Sequence, residues 1–217
     1  MLIVFHINRT QPHQCEHGIW FTQGFKRHGL TLEITADREK DADIHIVSGN
    51  HYAKDRWVGH QTLWLDKRFY RNDPKPPGMH SDPCVSLGWM TPTGGRKFTK
   101  GEGRPPPDVE TNTGEGTIYL CEYGERPPVG GDRFGTVRRH PQDETPPEPL
   151  ADALRRHKKA VGQNTTALVE AALLGLEIEC LDPEYILNEP DWLELLPYAD
   201  WRYDEFDKAI EHLWQRL

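Results

Sequence analysis

The chain has 217 residues, 36% of them hydrophobic, with 26 basic against 34 acidic side chains and a formal net charge of −8. That length allows one ordinary domain or two small ones, and seven each of Trp, Tyr and Phe exclude a disordered chain. No run of about 18 apolar residues offers a membrane span, and the acidic average excludes a surface coated in DNA-binding charge while allowing a local basic groove.

The opening Met1–Ile7 is too short and lacks the basic flank of a signal peptide, so it reads as a first buried strand. A polar loop is expected over Gln11–Gly18. Ile19–His28 then carries Ile19, Trp20, Phe21 and Phe25 at helical spacing, with Gly29 placed to stop the helix. Leu30–Thr35, Asp43–Ser48 and Thr62–Leu65 read as strands. Strand, helix and strand at short intervals imply parallel pairing with right-handed crossovers. From about Asn72 to Gly116 Pro, Gly and charge dominate, with one short strand at Val85–Met90. A second α/β pattern follows: strands at Thr117–Cys121, Thr136–Pro141, Lys159–Val161 and Leu176–Leu181, helices at Leu150–Arg156 and Thr166–Leu174, the latter closed by Gly175. Trp201–Leu217 spaces Phe206, Ala209, Ile210, Leu213, Trp214 and Leu217 along one helical stripe that must bury against something.

The expected architecture is α/β, with two small Rossmann-like halves and a cleft between them. Residues 1–116 form the first half, including a long basic Pro/Gly-rich loop at 72–116. Residues 117–199 form the second, and 200–217 a helix crossing back to the first. Cys15, Cys84, Cys121 and Cys180 contain no CxxC pair, so neither a zinc ribbon nor a disulfide framework is indicated, and a reducing cytoplasm is the expected compartment. The histidines show no HExxH spacing, and no metal is expected.

The most informative segment is Gly162–Gly175. A polar Asn164-Thr165-Thr166 turn precedes a small apolar helix, so backbone N–H groups and hydroxyls point out of the helix start, an arrangement suited to a phosphate or diphosphate. Glu170 lies four residues after Thr166 on roughly the same face and could accept hydrogen bonds from sugar hydroxyls. The plainer alternative is an N-capped helix carrying an exposed Glu. Upstream, Val137-Arg138-Arg139-His140-Pro141 places Arg138 and His140 at a strand end.

These two segments resemble the donor-binding half of GT-B glycosyltransferases, the second one resembling the Arg-Pro-His-Pro motif of the capsular-polysaccharide and Kdo-transferase-like branch. The resemblance covers roughly Ile118–Leu181, and Arg139 departs from it by replacing the motif's first proline. In size and N-terminal pattern the chain resembles phage-encoded transferases that glycosylate hydroxymethylated pyrimidines in DNA. The resemblance implies a metal-independent glycosyltransferase without a bound cofactor, taking a nucleotide-sugar (a UDP-sugar) as co-substrate and working in the host cytoplasm. Asn164, Thr165, Thr166, Glu170, Arg138 and His140 would hold the donor.

On the acceptor side the loop after the first strand offers Glu16 and His17 as bases for the acceptor hydroxyl, with Asp66 at the fourth strand's end as the third candidate. Each has a structural alternative: a helix-dipole charge for Glu16, a core-edge residue for His17, a salt bridge for Asp66. His51 and Tyr52 follow the third strand and could contact an acceptor. Arg96, Lys97 and Lys100 make the long loop locally basic, suited to a DNA acceptor or to a solvated linker. A competing function is a catalytically silent protein that binds or sequesters a nucleotide or nucleotide-sugar, and a hydrolase or epimerase is a third.

Overall fold

The computed structural model describes residues 1–214 apart from positions 38, 49–53, 58, 68–73, 82, 94–95, 123, 127–133, 147 and 164. The chain divides into two compact units, Met1–Pro105 with Glu194–Leu217, and Pro106–Leu193. Both are α/β, and both are built on parallel strands.

The first unit opens with β1 (Ile3–His6), whose four residues are all buried, as expected of a strand covered on both faces. It leads into α1 (Pro12–Arg27). The polar loop expected over Gln11–Gly18 is therefore the first half of that helix. Its buried stripe includes Gln14, His17, Gly18, Phe21 and Phe25, so the helical period is intact but written partly in polar and small residues. Pro12 suits the first turn, where its missing N–H costs no hydrogen bond. At the other end Gly29 takes φ +69°, and Leu30 N–H returns to Phe25 O at 2.9 Å.

Next come β2 (Leu32–Thr35), β3 (Ile44–Ser48), α2 (Lys54–Trp57), β4 (Thr62–Lys67), β5 (Cys84–Met90) and β6 (Arg96–Lys97). β2, β1, β3 and β4 lie side by side in parallel, and β5 then joins β4 antiparallel, with β6 on β5. Arg96 and Lys97 thus sit in a strand rather than in a loop.

The second unit holds β7 (Thr117–Leu120), β8 (Thr136–Arg138), α3 (Leu150–Arg155), β9 (Lys159–Gly162), α4 (Thr166–Leu173) and β10 (Glu177–Cys180). Its sheet runs β10-β9-β7-β8, all parallel. The stretch before β7 belongs to this unit because it is strapped onto it. Glu110 N–H bonds Leu173 O at 2.8 Å and Glu115 N–H bonds Arg156 O at 2.9 Å.

The chain returns through α5 (Trp192–Ala199), β11 (Asp200–Arg202) and α6 (Phe206–Trp214). Trp201, expected in the terminal helix, instead lies in β11, antiparallel to β5 with Val85 as its partner. α6 packs its Phe206, Ala209, Ile210 and Leu213 stripe into the first unit's core. Phe206 meets Phe21 edge-on with ring centroids 4.8 Å apart, and Gly24 permits the crossing: a Cβ there would lie 2.5 Å from Ile210.

Candidate functional site

In the second unit the chain leaves β7 toward β8 on one side and leaves β9, through α4, toward β10 on the other. β7 and β9 are neighbours, so their connections diverge and open a crevice beyond the strand ends at Leu120 and Gly162. Gly162 allows that close pairing, since a Cβ would stand 2.9 Å from Leu120 O.

The start of α4 borders this crevice. Thr165 is its N-cap (φ −119°, ψ 137°), its hydroxyl accepting from Ala167 N–H at 3.4 Å. Thr166 is exposed at the first helical position, and its N–H finds no acceptor among the described residues. The turn is pinned from behind. Tyr185 Oη donates to Thr165 O at 2.8 Å and Cys180 Sγ to Gln163 O at 3.0 Å. Asn164 lies outside the described residues.

Sequence reasoning missed what anchors the other wall. The buried Tyr119 Oη donates to Glu125 Oε1 at 2.5 Å, Glu122 N–H reaches Glu125 Oε2 at 2.7 Å, and Gln163 also hydrogen-bonds the phenol. Burial, then the Glu125 contact, push the Tyr119 phenol above its ordinary range, so it stays protonated and keeps donating. Nothing in an apolar strand sequence marks one tyrosine as the link between two loops.

Register places Arg138 beside Leu120, on the face covered by α3 and α4. Arg138 Nη2 donates to Glu148 O at 2.8 Å, and Arg156 forks onto the Glu148 carboxylate. A pocket of about 110 Å³ on this face is lined by Arg138, Arg139, Glu144, Glu148 and Arg156, among others. Glu170 is half-buried. Burial pushes its carboxyl up while Arg138 and Arg155 pull the other way, and it makes no hydrogen bond or ion pair with a described residue. His140 opens the turn after β8, its Nδ1 accepting from Gln142 N–H at 3.2 Å, which leaves the neutral ring's proton on Nε2.

The first unit does not gather the three candidate bases. Glu16 sits inside α1, and its carboxylate accepts from His80 N–H at 2.8 Å, Ser81 N–H at 2.7 Å and Ser81 Oγ at 2.6 Å. Partial desolvation raises its pKa, but these hydrogen bonds outweigh it and leave the carboxyl lowered. A carboxylate so committed is a loop clamp and a poor base. His17 is 5% exposed with neither ring nitrogen hydrogen-bonded to a described residue. Burial, with His13 beside it, lowers its pKa to about 3, too weak and too enclosed for proton capture from an acceptor. Asp66 alternates with Leu63 and Leu65, which face the α1 side of the sheet, so Asp66 points to the other face, in register with Ser86 and, beyond it, Asp200.

The expected basic loop is also corrected. Arg96 donates to Ser86 Oγ at 2.5 Å and lies over the Trp64 and Phe98 rings, 5.7 Å from each centroid. Lys100 pairs with Glu194, and Arg104 pairs with Glu205 at 3.3 Å over the Trp201 ring. Lys97 is exposed. His51 and Tyr52 lie outside the described residues. Among the described residues no group of three His, Cys, Asp or Glu side chains could hold a metal ion, and no helix is long and apolar enough to cross a membrane.

No protein-family model matches the chain, and no curated protein matches it. Two solved structures from Thermosulfurimonas dismutans are similar to it, each at 11% sequence identity. One is the KpsC β-Kdo 2,4-transferase, with TM-score 0.46 over 91% of this chain and 90% of that one. The other is the KpsC β-Kdo 2,7-transferase, with TM-score 0.48 over 98% of this chain and 99% of that one.

Proposed function

We propose that the second unit binds the diphosphate and sugar of a nucleotide-sugar, and that the protein is a glycosyltransferase of the GT-B type. The observation that carries the reading is the placement of α4's open start at the β7/β9 switch point, one helical turn from a half-buried Glu170 without a hydrogen-bond partner among the described residues. The helix N-terminus favours the anionic diphosphate, with Thr165 and Thr166 supplying hydroxyls and Arg138 and His140 further positive or donor groups. Glu170 accepts from sugar hydroxyls. The resemblance of Gly162–Gly175 to a donor site points the same way.

A second reading, binding without transfer, is favoured by a specific observation: Glu16 is clamped to Ser81 and His80, and His17 is enclosed. A hydroxymethylated pyrimidine in DNA remains the narrower acceptor proposal, but it loses the support of Arg96 and Lys100, which bond within the first unit, and keeps that of Lys97. Calorimetry against a panel of nucleoside diphosphates and UDP-sugars tests the common part. Binding weakened about 10–100-fold by Glu170→Gln, from a lost hydrogen bond worth about 1.5–3 kcal/mol, supports it. Absence of binding at millimolar ligand overturns it. Acceptor-dependent release of nucleoside diphosphate then separates transfer from binding alone.

A further inference from the structure

Two buried histidines of the first unit take no part in the site described above. Ile3 and Phe5 of β1 and Ile44 and Ile46 of β3 face α1, so His6 and His45 alternate to the opposite face. There Trp57 of α2 covers both, its ring centroid 4.6 Å from His6 and 4.9 Å from His45. Their hydrogen bonds run in one direction. His6 Nδ1 lies 3.1 Å from Asp37 O, which can only accept, so Nδ1 carries the proton and Nε2 of the neutral ring is an acceptor. His45 Nδ1, 3.0 Å from that Nε2, must then donate. This leaves a lone pair on His45 Nε2, buried and without a partner among the described residues, as are Trp57 Nε1 and Thr62 Oγ1, the hydroxyl in register with His45.

We propose that the His6–His45 pair is a proton-operated latch, which holds the Trp57 segment on the sheet while both rings are neutral and releases it when His45 gains a proton at Nε2. The surroundings oppose that proton. Arg56 lies over Trp57 at 5.5 Å and is itself paired with Glu39 at 2.5 Å, while His60 stands 5.1 Å from His45, ring to ring. Asp41 and Asp37 are the acids that act on the pair, and both are exposed. Attraction of an imidazolium to the Trp57 face does not restore the hydration lost beneath it.

Burial first, then His6 and His60, lower His45 to about 4, and burial lowers His6 also. The closed state therefore binds fewer protons than the open one, and the latch is at full strength above about pH 6.5 and weakens as the pH falls toward 4. Over that window the open population rises by up to a few hundred-fold, on the order of ten per pH unit. Release would act on the first unit's own switch point, because β1 and β3 are neighbours whose connections diverge beyond His6 and Ser48.

Hydrogen exchange at the buried Trp57 indole N–H, corrected for the intrinsic pH dependence, reads the latch, and nitrogen NMR of the histidines reads the relay. Both rings should carry the proton on Nδ1 at pH 7. Protection of that indole N–H should fall on the order of a hundredfold between pH 6.5 and 4 while the β1 amides stay protected, and His45→Phe should reduce that dependence to the part His6 alone supplies. A proton on Nε2 of His45 at neutral pH, flat protection in the wild type, unchanged pH dependence in His45→Phe, or simultaneous loss of protection in β1 would each overturn the latch. Should His45→Phe not fold, the wild-type exchange profile and NMR titration decide alone.

Discussion

Glu16 separates a structural from a catalytic account of the first unit. Its carboxylate gathers three donors from residues 80–81 at 2.6–2.8 Å. His80 is exposed and can turn its N–H to water, but Ser81 is 3% exposed, so its N–H and hydroxyl cannot. Glu16→Ala therefore orphans two buried donors at about 1–3 kcal/mol each, a loss of roughly 2–6 kcal/mol. Glu16→Gln keeps one acceptor oxygen but turns an NH₂ toward a donor, and should lose about 1–2 kcal/mol. At this chain length the Ala variant should melt on the order of 5–15 °C lower. Because the folded pKa is lowered, the clamp contributes fully above about pH 4.5, the ordinary glutamate value, and fades as acid protonates it. Urea denaturation at pH 7 gives the order wild type, Gln, Ala. An Ala variant unfolding at the wild-type midpoint would refute the clamp, and loss of transfer at unchanged stability would return Glu16 to the role of base.

Three further outcomes are expected. With His17 at about 3 folded and 6.5 unfolded, stability is present above pH 6.5 and lost as the pH falls toward 3, roughly 2 kcal/mol of it between pH 7 and 5. His17→Leu should remove that part of the slope, and parallel urea midpoints for both proteins at the two pH values would count against it. Gly175 holds φ +79° with Glu110 O 2.2 Å from where a Cβ would stand, so Gly175→Ala should cost about 3 kcal/mol or more through strain and backbone displacement, and a cost below about 1 kcal/mol in denaturant would refute this. Arg96→Ala should destabilise by about 2–3 kcal/mol, through the lost Ser86 hydrogen bond and ring contacts, and Lys97→Ala by no more than about 0.5 kcal/mol. Equal effects would restore the basic-loop reading.

The α/β class was legible because apolar runs such as Ile3–Phe5, Ile44–Val47 and Ile118–Leu120 sit between helical or turn-rich segments. So was the start of α4, where cap, turn and helix are contiguous in sequence. The first half of α1 was not legible, because Gln14, His17 and Gly18 occupy its buried stripe and a count of apolar residues misses them. Arg96 misled for a related reason. Composition marks a cation beside Gly94 and Gly95 as solvated, whereas β5 pairing turns it onto Trp64. The roles of Glu16 and Tyr119 depend on Ser81 and on Glu125 with Gln163, partners that no local pattern announces.

Which polar side chains the fold leaves uncommitted is the stronger guide to function in such a chain. In the first unit the carboxylate of Glu16, the guanidiniums of Arg96 and Arg104 and the ammonium of Lys100 all close bonds that hold its own elements together. In the second unit Glu170 bears a desolvation cost without a side-chain hydrogen bond among the described residues, next to Arg138 and Arg155. A half-buried carboxyl in that position is costly to keep unless something with hydroxyl donors completes it. Removing the acid should therefore stabilise the ligand-free protein. Glu170→Leu is expected to raise the urea midpoint of the second unit, by about 1 kcal/mol in stability, while weakening nucleotide-sugar binding. A variant both less stable and unchanged in binding would show that Glu170 serves the fold through Arg138 and Arg155, and would remove the residue from the site.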